Sequence, residues 1–437
     1  MHVVGVNGYF KGMTKPEEEL SALWDMYGVQ MVNKLNGSFC FWMTDNATNE
    51  IFAARDMLGT RQLFYTFTED NVPLCGTSIL NLLKLTGKDI KVCRNAVAEY
   101  LDKGYIYGKE TIFEGVYKLD SGSYLHYSNG VTECVRYFNP SFERDNSISQ
   151  TQWENEFYNI TNAAIKAVKC KACFLSSGID SAYIAATLPA AKTITAVFNN
   201  PEDESEKAKQ TADYLSVPNI QIPFSANEFF SAVKESQISR EQPTADPSYT
   251  FTYLLLKKAA KYCDAICSGE SADEMLVGYR RYEVKGLTTE DIVKLQCTDI
   301  KELLGDDFFP SLEAGMRAFG IEVHYPYADR AIVELCMRMP IGCNLSDVSN
   351  KTVLRNAASR VLPQDIISRK KIGFYSPLKH WMEQPEWSDL INSTLNDGTF
   401  DMLVGKKGAA QYYISSKFWR EKWKAFALVV WYHGIIL

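Results

Sequence analysis

Histidine is scarce in this chain: five occur among 437 residues, and they lie far apart in the sequence. This scarcity argues against a catalytic triad and against a metal site made of several imidazoles. Basic residues are also in the minority, with 46 Lys and Arg against 53 Asp and Glu. The net charge of −7 disfavours a nucleic-acid partner, because binding to phosphates depends on Lys and Arg.

Long apolar segments are missing as well. The first ten residues, MHVVGVNGYF, have neither the basic start nor the apolar core of a signal peptide. The most apolar late stretch, residues 425–431, is far too short to span a bilayer. The eleven cysteines are scattered, and the close pair Cys170 and Cys173 has no matching second pair, which disfavours a structural zinc site. Together these features predict a cytoplasmic protein with reduced thiols and no membrane partner.

The apolar pattern changes along the chain, which is long enough for two or three domains. Residues 1–138 contain short aromatic and β-branched segments separated by Asn, Asp and Gly. This pattern predicts strands at residues 38–43, 50–54, 63–66 and 122–127, with helices at 17–27 and 94–101. Residues 139–150 are polar, contain Pro and Ser, and are predicted to link this domain to a second one at residues 151–437.

The second domain alternates helices with apolar strands and becomes mainly helical from about Ser311. The strands are predicted at residues 172–175, 193–198, 220–223 and 264–267. Such alternation predicts an α/β fold with a doubly wound, mostly parallel sheet.

The most informative segment is FLSSGIDSA, residues 174–182, where an apolar strand ends in a turn of small residues and a helix follows. Such a turn suits oxyanions, since backbone N–H groups and the helix dipole both favour negative charge. No Lys follows Gly178, so this is not the loop that holds the terminal phosphates of ATP or GTP. The alternatives are a pyrophosphate loop, in an enzyme that cleaves ATP between its first two phosphates, and a turn that binds nothing.

A second segment, SGESADEM at residues 268–275, also follows an apolar strand and adds acidic side chains. Ligands of open α/β sheets lie beyond the carboxyl ends of the strands, so neighbouring strands would bring Asp180 and Asp273 together. Two carboxylates beside a triphosphate suit Mg²⁺, because this ion binds few protein oxygens and completes its coordination with phosphate oxygens. The plainer interpretation is the acidic start of a solvated helix. We expect Glu270 to orient or deprotonate the nucleophile.

A third segment, SRKKIGFYSP at residues 368–377, is basic and is either a surface loop or a source of positive charge for the site. Lys371 is the expected cation, because a Lys near pyrophosphate and a developing oxyanion stabilises charge in the transition state.

Together the three segments resemble the asparagine synthetase family, in which a glutaminase-like N-terminal domain precedes an ATP-pyrophosphatase synthetase domain. The resemblance extends along nearly the whole chain through LNGSFCFWMTD (35–45), ARDMLGTRQLFY (54–65), TIFEGVYKLDSG (111–122), DESEKA (203–208), EQPTADPS (241–248), HYPYAD (324–329) and KTVLR (351–355). It implies an N-terminal α+β remnant of an Ntn-hydrolase-like sandwich, followed by the doubly wound parallel sheet of the ATP-pyrophosphatase type and a helical C-terminal part.

The resemblance also implies roles for individual residues. Pyrophosphate would be held by Ser176, Ser177, Gly178, Asp180 and Ser181, and adenosine would be framed by Leu175, Val197, Ser268 and Gly269. Asp180 and Asp273 would hold Mg²⁺, while Glu270 and Lys371 would serve the chemistry. The implied cofactors are ATP and Mg²⁺. The implied partners are a small-molecule or peptide carboxylate and an amine donor, either ammonia or an amine of the substrate, and a homodimer stays open.

The N-terminal part departs from the family pattern. The family's glutaminase uses a Cys directly after the initiator Met, whereas residue 2 here is His2. The block VNGYF resembles NGEIY, which lies several dozen residues into that domain, and Tyr9 replaces its glutamine-binding Glu. Pro16 falls near the position of an Asp that binds the substrate amine. Cys40 is expected to lie buried in a strand, so it offers no substitute nucleophile.

These departures predict that this chain does not hydrolyse glutamine. A mis-assigned gene start and a scaffolding role for the N-terminal half are both compatible with them, and the loss of the ligand residues favours the scaffold.

Three hypotheses remain for the function. The first is an AMP-forming amide ligase that activates a carboxylate as an acyl-adenylate. Its amine would be ammonia, as in asparagine synthesis, or part of the same molecule, as in the family's β-lactam-forming and lasso-peptide-forming members. The second is a tailoring amidotransferase that acts on a larger metabolite or sugar acid and receives its amine from a separate protein, whereas the cyclase alternative of the first belongs to natural-product biosynthesis. The third is an inactive scaffold. The small side chains of Ser271 and Val277 would leave room for a wide substrate.

Overall fold

The computed structural model describes residues 1–201, 203–345, 350–369 and 376–436. Its N-terminal part consists mainly of antiparallel strands, because aromatic and β-branched side chains pack well on a pleated surface. The strands are His2–Phe10 (β1), Gly37–Asp45 (β2), Glu50–Arg55 (β3), Phe64–Phe67 (β4), Pro73–Gly76 (β5), Val116–Lys118 (β6), Ser123–Ser128 (β7) and Val131–Arg136 (β8). The helices are Pro16–Tyr27 (α1), Ile79–Thr86 (α2) and Arg94–Lys103 (α3). Every strand and helix predicted in this part is confirmed within two residues.

The N-terminal strands form two sheets that lie between helices. The larger sheet has the order β1-β2-β3-β7-β8, and the smaller sheet has the order β5-β4-β6. Leu20 of α1 packs with Phe52 on the outer face of the larger sheet. Ala53 and Tyr65 belong to a cluster between the two sheets, and α2 contacts the smaller sheet from outside. This order of layers agrees with the sandwich that the resemblance implies.

The C-terminal part alternates strands with helices. Its strands are Ala172–Phe174 (β9), Lys192–Val197 (β10), Asn219–Pro223 (β11), Ala265–Cys267 (β12) and Glu322–His324 (β13). Its helices before β13 are Gln150–Ala167 (α4), Ile179–Thr187 (α5), Ser205–Tyr214 (α6), Ala226–Arg240 (α7), Tyr249–Ala259 (α8), Ala272–Met275 (α9), Thr289–Thr298 (α10), the π-helical Asp299–Phe308 and Phe309–Phe319 (α11).

The rest of the chain after β13 is helical. The helices are Arg330–Arg338 (α12), Thr352–Ala358 (α13), Gln364–Ile367 (α14), Leu378–Met382 (α15), Pro385–Leu395 (α16), Thr399–Val404 (α17), Ala409–Ile414 (α18) and Trp419–Ile435 (α19). Short 3₁₀ turns lie at Gly28–Lys34, Arg280–Glu283, Pro326–Ala328 and Ile341–Cys343. In the described part of the chain, no helix is both long and apolar enough to cross a membrane.

The C-terminal sheet is parallel, with the order β11-β10-β9-β12-β13. The chain first proceeds from β9 to β11 on one side and then returns to place β12 and β13 on the other side. The direction of winding therefore reverses between β9 and β12, where Cys173 lies opposite Cys267. A crevice for ligands forms at such a reversal, beyond the carboxyl ends of the strands. The predicted α/β fold is confirmed, and β9 and β12 are neighbours, which is the condition for Asp180 and Asp273 to converge.

One strand corrects the prediction. The pattern beyond Ser311 is mainly helical and predicts no particular strand there, but β13 completes the parallel sheet beside β12. A strand of three residues is too short to show a periodic pattern of its own. It forms because Ile266 of β12 and Val323 are register partners and both are buried.

The two parts of the chain share an extensive interior. Arg55 of β3 is fully buried and donates hydrogen bonds to the carbonyl oxygens of Leu119 and Gly305, at 2.9 and 2.8 Å. Lys118 of β6 forms a buried ion pair with Asp306, at 2.7 Å. The division into domains 1–138 and 151–437 stays a prediction.

Candidate active site

The loop after β9 has the local structure of an anion site. Ser181 Oγ accepts a hydrogen bond from the Ser176 N–H at 3.0 Å, and Ser176 Oγ accepts one from the Gly178 N–H at 3.1 Å. Gly178 is the N-cap of α5, and no described side chain caps this helix. The first-turn N–H groups of a helix that lacks a side-chain cap favour a negatively charged ligand.

Ser177 anchors the same loop to the next helix. Its side chain is buried, and its hydroxyl group donates a hydrogen bond to the carboxylate of Glu204. Glu204 also pairs with Lys207, at 2.8 Å. The Ser177 hydroxyl therefore fixes the loop against α6.

The loop after β12 lies directly against the first loop. The N–H of Ser268 donates to the carbonyl oxygen of His324 at 2.9 Å, which joins this loop to β13. A Cβ atom at Gly269 would lie 3.2 Å from Asp180 Cβ. Only a residue without a side chain fits this approach without displacing its neighbour.

Asp180 and Asp273 converge on one cation, the ammonium group of Lys351. Lys351 Nζ lies 2.6 Å from both carboxylate oxygens of Asp180 and 2.8 Å from Asp273 Oδ1. The lysine side chain is 2% exposed. Burial acts to lower the pKa of Lys351, but the two carboxylates outweigh it and the pKa is raised. The ammonium group therefore remains charged.

The backbone around Lys351 is adapted to this contact. Lys351 has a φ angle of +51°, in the left-handed region that few non-glycine residues adopt. A Cβ atom at Gly278 would lie 2.0 Å from Lys351 Cε and 2.1 Å from Asp273 Oδ1. The lysine thus occupies the space that any larger residue at position 278 would fill.

Tyr327 and Glu274 support the two loops from inside the protein. The buried Tyr327 hydroxyl donates a hydrogen bond to the backbone carbonyl of Asp180, at 3.0 Å. Glu274 is 1% exposed and accepts a hydrogen bond from the hydroxyl of Tyr279. Burial, with a contribution from Asp273, raises the pKa of Glu274 to about 8. At neutral pH Glu274 is therefore mainly a neutral acid, whereas Asp180 and Asp273 face a cation.

The structure brings most of the predicted site residues to one edge of the sheet. These are Leu175, Ser176, Ser177, Gly178, Asp180 and Ser181 after β9, and Ser268, Gly269, Glu270 and Asp273 after β12. Val197 ends the neighbouring strand β10, and its carbonyl oxygen accepts the N–H of Phe224 at 3.0 Å. Lys371 lies outside the described residues.

The sequence did not identify Lys351, Gly278 or Tyr327 as site residues. Lys351 and Tyr327 lie in the blocks KTVLR and HYPYAD, which carry the family resemblance without indicating a role. Their contacts join residues between 147 and 171 positions apart, and no local pattern encodes such pairs.

Comparisons with known proteins cover both parts of the chain. Residues 157–288 and 284–431 match the family model for asparagine synthase, and residues 8–138 match the model for a glutamine amidotransferase domain. The chain is 22% identical to "Asparagine synthetase [glutamine-hydrolyzing] 1" of Bacillus subtilis (strain 168), over 91% of this chain and 77% of the relative.

Two further relatives come from other organisms. The chain is 24% identical to the asparagine synthetase [glutamine-hydrolyzing] of Gallus gallus, over 88% of this chain and 70% of the relative. It is 27% identical to "Amidase chry2" of Gibberella zeae, over 63% of this chain and 44% of that protein.

Proposed function

The chain belongs to the asparagine synthase family, and from this membership and the site geometry we propose that it is an ATP-dependent, AMP-forming amide ligase. It joins a carboxylate to an amine and releases AMP and pyrophosphate. The observation that carries the proposal is the convergence of two strand-end loops, which places Asp180, Asp273 and Lys351 beside the start of α5.

The loop at residues 175–181 is proposed to hold the pyrophosphate part of ATP. Its support is the helix start at Gly178, where N–H groups and the helix dipole favour phosphate oxygens. Adenosine is proposed to lie against Leu175, Val197, Ser268 and Gly269. Lys351 supplies a buried positive charge close to this loop, which compensates the charge of the triphosphate.

The carboxylate pair fits Mg²⁺. Both carboxylates lie within 2.8 Å of one atom, Lys351 Nζ, so they already face a common cationic position. Among the described residues, no group of three or more His, Cys, Asp and Glu side chains could hold a metal ion. Asp180 and Asp273 would therefore share the ion with phosphate oxygens, as Mg²⁺ prefers. When bound, the ion would neutralise phosphate charge and polarise the reacting phosphate.

The reaction is proposed to proceed in two steps. A carboxylate oxygen of the substrate attacks the α-phosphorus of ATP, pyrophosphate leaves, and an acyl-adenylate forms. An amine then attacks the acyl carbon, and AMP leaves with the electron pair of the broken C–O bond. Glu270 is proposed to orient the amine or to accept its proton, and Lys371 to stabilise the developing oxyanion.

Glutamine hydrolysis is not proposed for the described residues. Cys40 is buried, its thiol group donates to the carbonyl oxygen of Gln62 at 3.2 Å, and burial raises its pKa well above the usual value. A thiol in this state is a poor nucleophile. Tyr9 occupies the position at which the family resemblance places a glutamine-binding Glu.

Intramolecular cyclisation is not preferred over ligation of a separate amine. Ser271 and Val277, whose small size suggested a wide cavity, are each 1% exposed. Val277 packs with Tyr282 and Ile292 in a hydrophobic cluster. These side chains therefore fill the interior of the protein.

The test is exchange of labelled pyrophosphate into ATP, with Mg²⁺ and a panel of carboxylic acids that begins with aspartate. We expect exchange that depends on one class of acid and falls at least 100-fold in Asp180→Asn. The matched control is Asp213→Asn, an exposed aspartate on α6. Absence of exchange with every acid, together with absence of ATP binding, would instead support an inactive scaffold.

A further inference from the structure

A cavity of about 390 Å³ lies where the N-terminal part meets β13, apart from the two loops at residues 175–181 and 268–273. Its walls come from the end of β1, the start of β2, the end of α4 and the segment after β13. The volume is within the range of small-molecule sites, which often lie where two parts of a protein meet.

Two aromatic side chains with polar groups line this cavity. The rings of Tyr9 and His324 meet edge to face, with their centroids 4.9 Å apart. In the described part of the chain, no hydrogen bond joins the Tyr9 hydroxyl or the His324 ring to another protein group. Burial, helped by the charge of Arg61, lowers the pKa of His324 to about 4, so the ring is neutral at physiological pH. The cavity thus offers aromatic surface and two neutral hydrogen-bonding groups.

The charged and hydroxyl groups of the lining are mostly satisfied within the protein. Lys11 pairs with Asp329 at 2.6 Å, and the hydroxyl groups of Ser38 and Thr60 bond to each other at 2.6 Å. Lys169 also lines the cavity, but its side chain is exposed to solvent, where a charge pair contributes little. An amino acid would require a separate partner for each of its two charges, and Asp329 is already neutralised.

We propose that this cavity is a second ligand site, which binds a neutral aromatic or heteroaromatic molecule with one hydrogen-bonding group. The ring packs against Tyr9 and His324, and the polar group of the ligand bonds to the Tyr9 hydroxyl or the imidazole. The site lies where the family resemblance places glutamine, but the chemistry of its lining selects a different class of molecule.

Residues 324–327 connect the cavity to the two loops that are proposed to bind ATP. His324 and Tyr325 line the cavity, while the His324 carbonyl accepts the Ser268 N–H and the adjacent Tyr327 bonds to the Asp180 carbonyl. A ligand that packs against this segment therefore contacts the segment whose residues His324 and Tyr327 hydrogen-bond to the two loops. Its occupancy is coupled to ATP binding.

Indole and three charged analogues provide the binding test, because they share one ring system. Calorimetric titration of the full chain is expected to give binding of indole at least tenfold tighter than that of indole-3-acetate, tryptamine or tryptophan. Tyr9→Phe keeps the ring and removes the hydroxyl group, and we expect it to weaken indole binding several-fold.

Two alanines on α4 provide a matched pair. Ala167 lines the cavity and Ala163 does not. Both residues are exposed, so a larger side chain at either position does not disturb the packing of the core. Ala167→Trp is expected to abolish indole binding, whereas Ala163→Trp retains it. Equal binding in both variants, or binding of tryptophan in preference to indole, would overturn the proposal.

The coupling between the cavity and ATP binding is tested by a separate measurement. At saturating indole the dissociation constant for ATP is expected to change at least threefold in the wild-type protein and to stay constant in Ala167→Trp. An unchanged ATP affinity in the presence of bound indole would contradict the coupling. The indole titration is independent of the proposed function, whereas the coupling rests on the proposed ATP site and requires ATP binding but not amide formation.

Discussion

At the scale of single residues, the site depends on the charges of a few buried groups. Lys351 faces two carboxylates, and these keep it charged although it is removed from water. Glu274 directly follows Asp273 in the chain, and burial, with a contribution from Asp273, raises its pKa. Burial thus raises the pKa of Glu274, whereas two facing carboxylates raise the pKa of Lys351.

Removal of the Lys351 charge should disable ATP binding. Lys351→Met keeps the length of the side chain but removes the buried positive charge that is proposed to compensate the triphosphate, so we expect ATP affinity to fall at least 100-fold. Calorimetry with ATP and Mg²⁺ measures this loss. Lys294→Met is the control, because Lys294 is 70% exposed on α10. Wild-type affinity in Lys351→Met would remove the lysine from the site.

Glu274 should make stability depend on pH. Its pKa is about 8 in the folded protein and near 4.5 when unfolded, so folding takes up a proton between these values. The free energy of unfolding should therefore fall by about 1.4 kcal/mol per unit as pH rises from about 5 to 8. Urea unfolding at pH 5.5, 6.5 and 7.5 tests this. Glu274→Gln should lose this contribution, whereas the exposed control Glu290→Gln should keep it; identical slopes in all three proteins would contradict the assignment.

At the scale of elements, short loops are placed by close contacts that require small residues. Gly269 allows the loop after β12 to approach Asp180, and Gly278 leaves space for Lys351. The strand β13 and the following turn support these loops from behind through His324 and Tyr327.

Gly278→Ala should abolish pyrophosphate exchange without unfolding the protein. The added methyl group would lie within about 2 Å of both Lys351 Cε and Asp273 Oδ1, so both side chains must move. Gly342→Ala is the matched control, since a Cβ atom there meets nothing within 4 Å. The two variants should differ far more in pyrophosphate exchange than in melting temperature, which exchange assays and thermal unfolding measure. Normal exchange in Gly278→Ala would show that the Lys351 contact is dispensable.

Tyr327→Phe should weaken ATP binding moderately. The substitution removes one hydrogen bond to the Asp180 carbonyl, a change of about 0.5–1.5 kcal/mol, which corresponds to a rise in the ATP dissociation constant of up to about tenfold. Tyr262→Phe, at an exposed tyrosine, is the control. If both variants bind ATP equally well, Tyr327 does not position the loop.

At the scale of the whole molecule, the N-terminal part is joined to the C-terminal part by buried polar contacts as well as apolar packing. Arg55 donates to carbonyl groups of both parts, and Lys118 pairs with Asp306 of the π-helical segment. Burial lowers the pKa of Lys118, although Asp306 opposes this effect. Because these polar groups are buried where the two parts of the chain meet, we expect the N-terminal and C-terminal parts to fold together.

Loss of the Lys118 charge should destabilise the whole chain. Lys118→Met leaves Asp306 buried without its cation, which costs about 3–5 kcal/mol. The double variant Lys118→Met, Asp306→Asn should recover much of this loss. Calorimetry should show a single transition that moves to lower temperature in Lys118→Met. Two separate transitions in the wild-type protein would contradict cooperative folding across the junction.

The sequence by itself determined several of the strands and helices and which short segments carry charge and small residues. FLSSGIDSA and SGESADEM are each local motifs at a strand end, and the structure places them at neighbouring strands on one edge of the sheet. Their role as an ATP site stays a prediction. The sequence did not reveal β13, which is held by its neighbour β12 and has too few residues for a pattern.

Only the tertiary structure decided which groups face one another. It placed Lys351 between Asp180 and Asp273, left Gly278 as the space for the lysine, and formed the cavity beside Tyr9 and His324. The physical reason is that these contacts join residues distant in the chain, and burial then sets their charges. A local pattern specifies backbone conformation and residue type, whereas distance and desolvation arise only when the chain is folded.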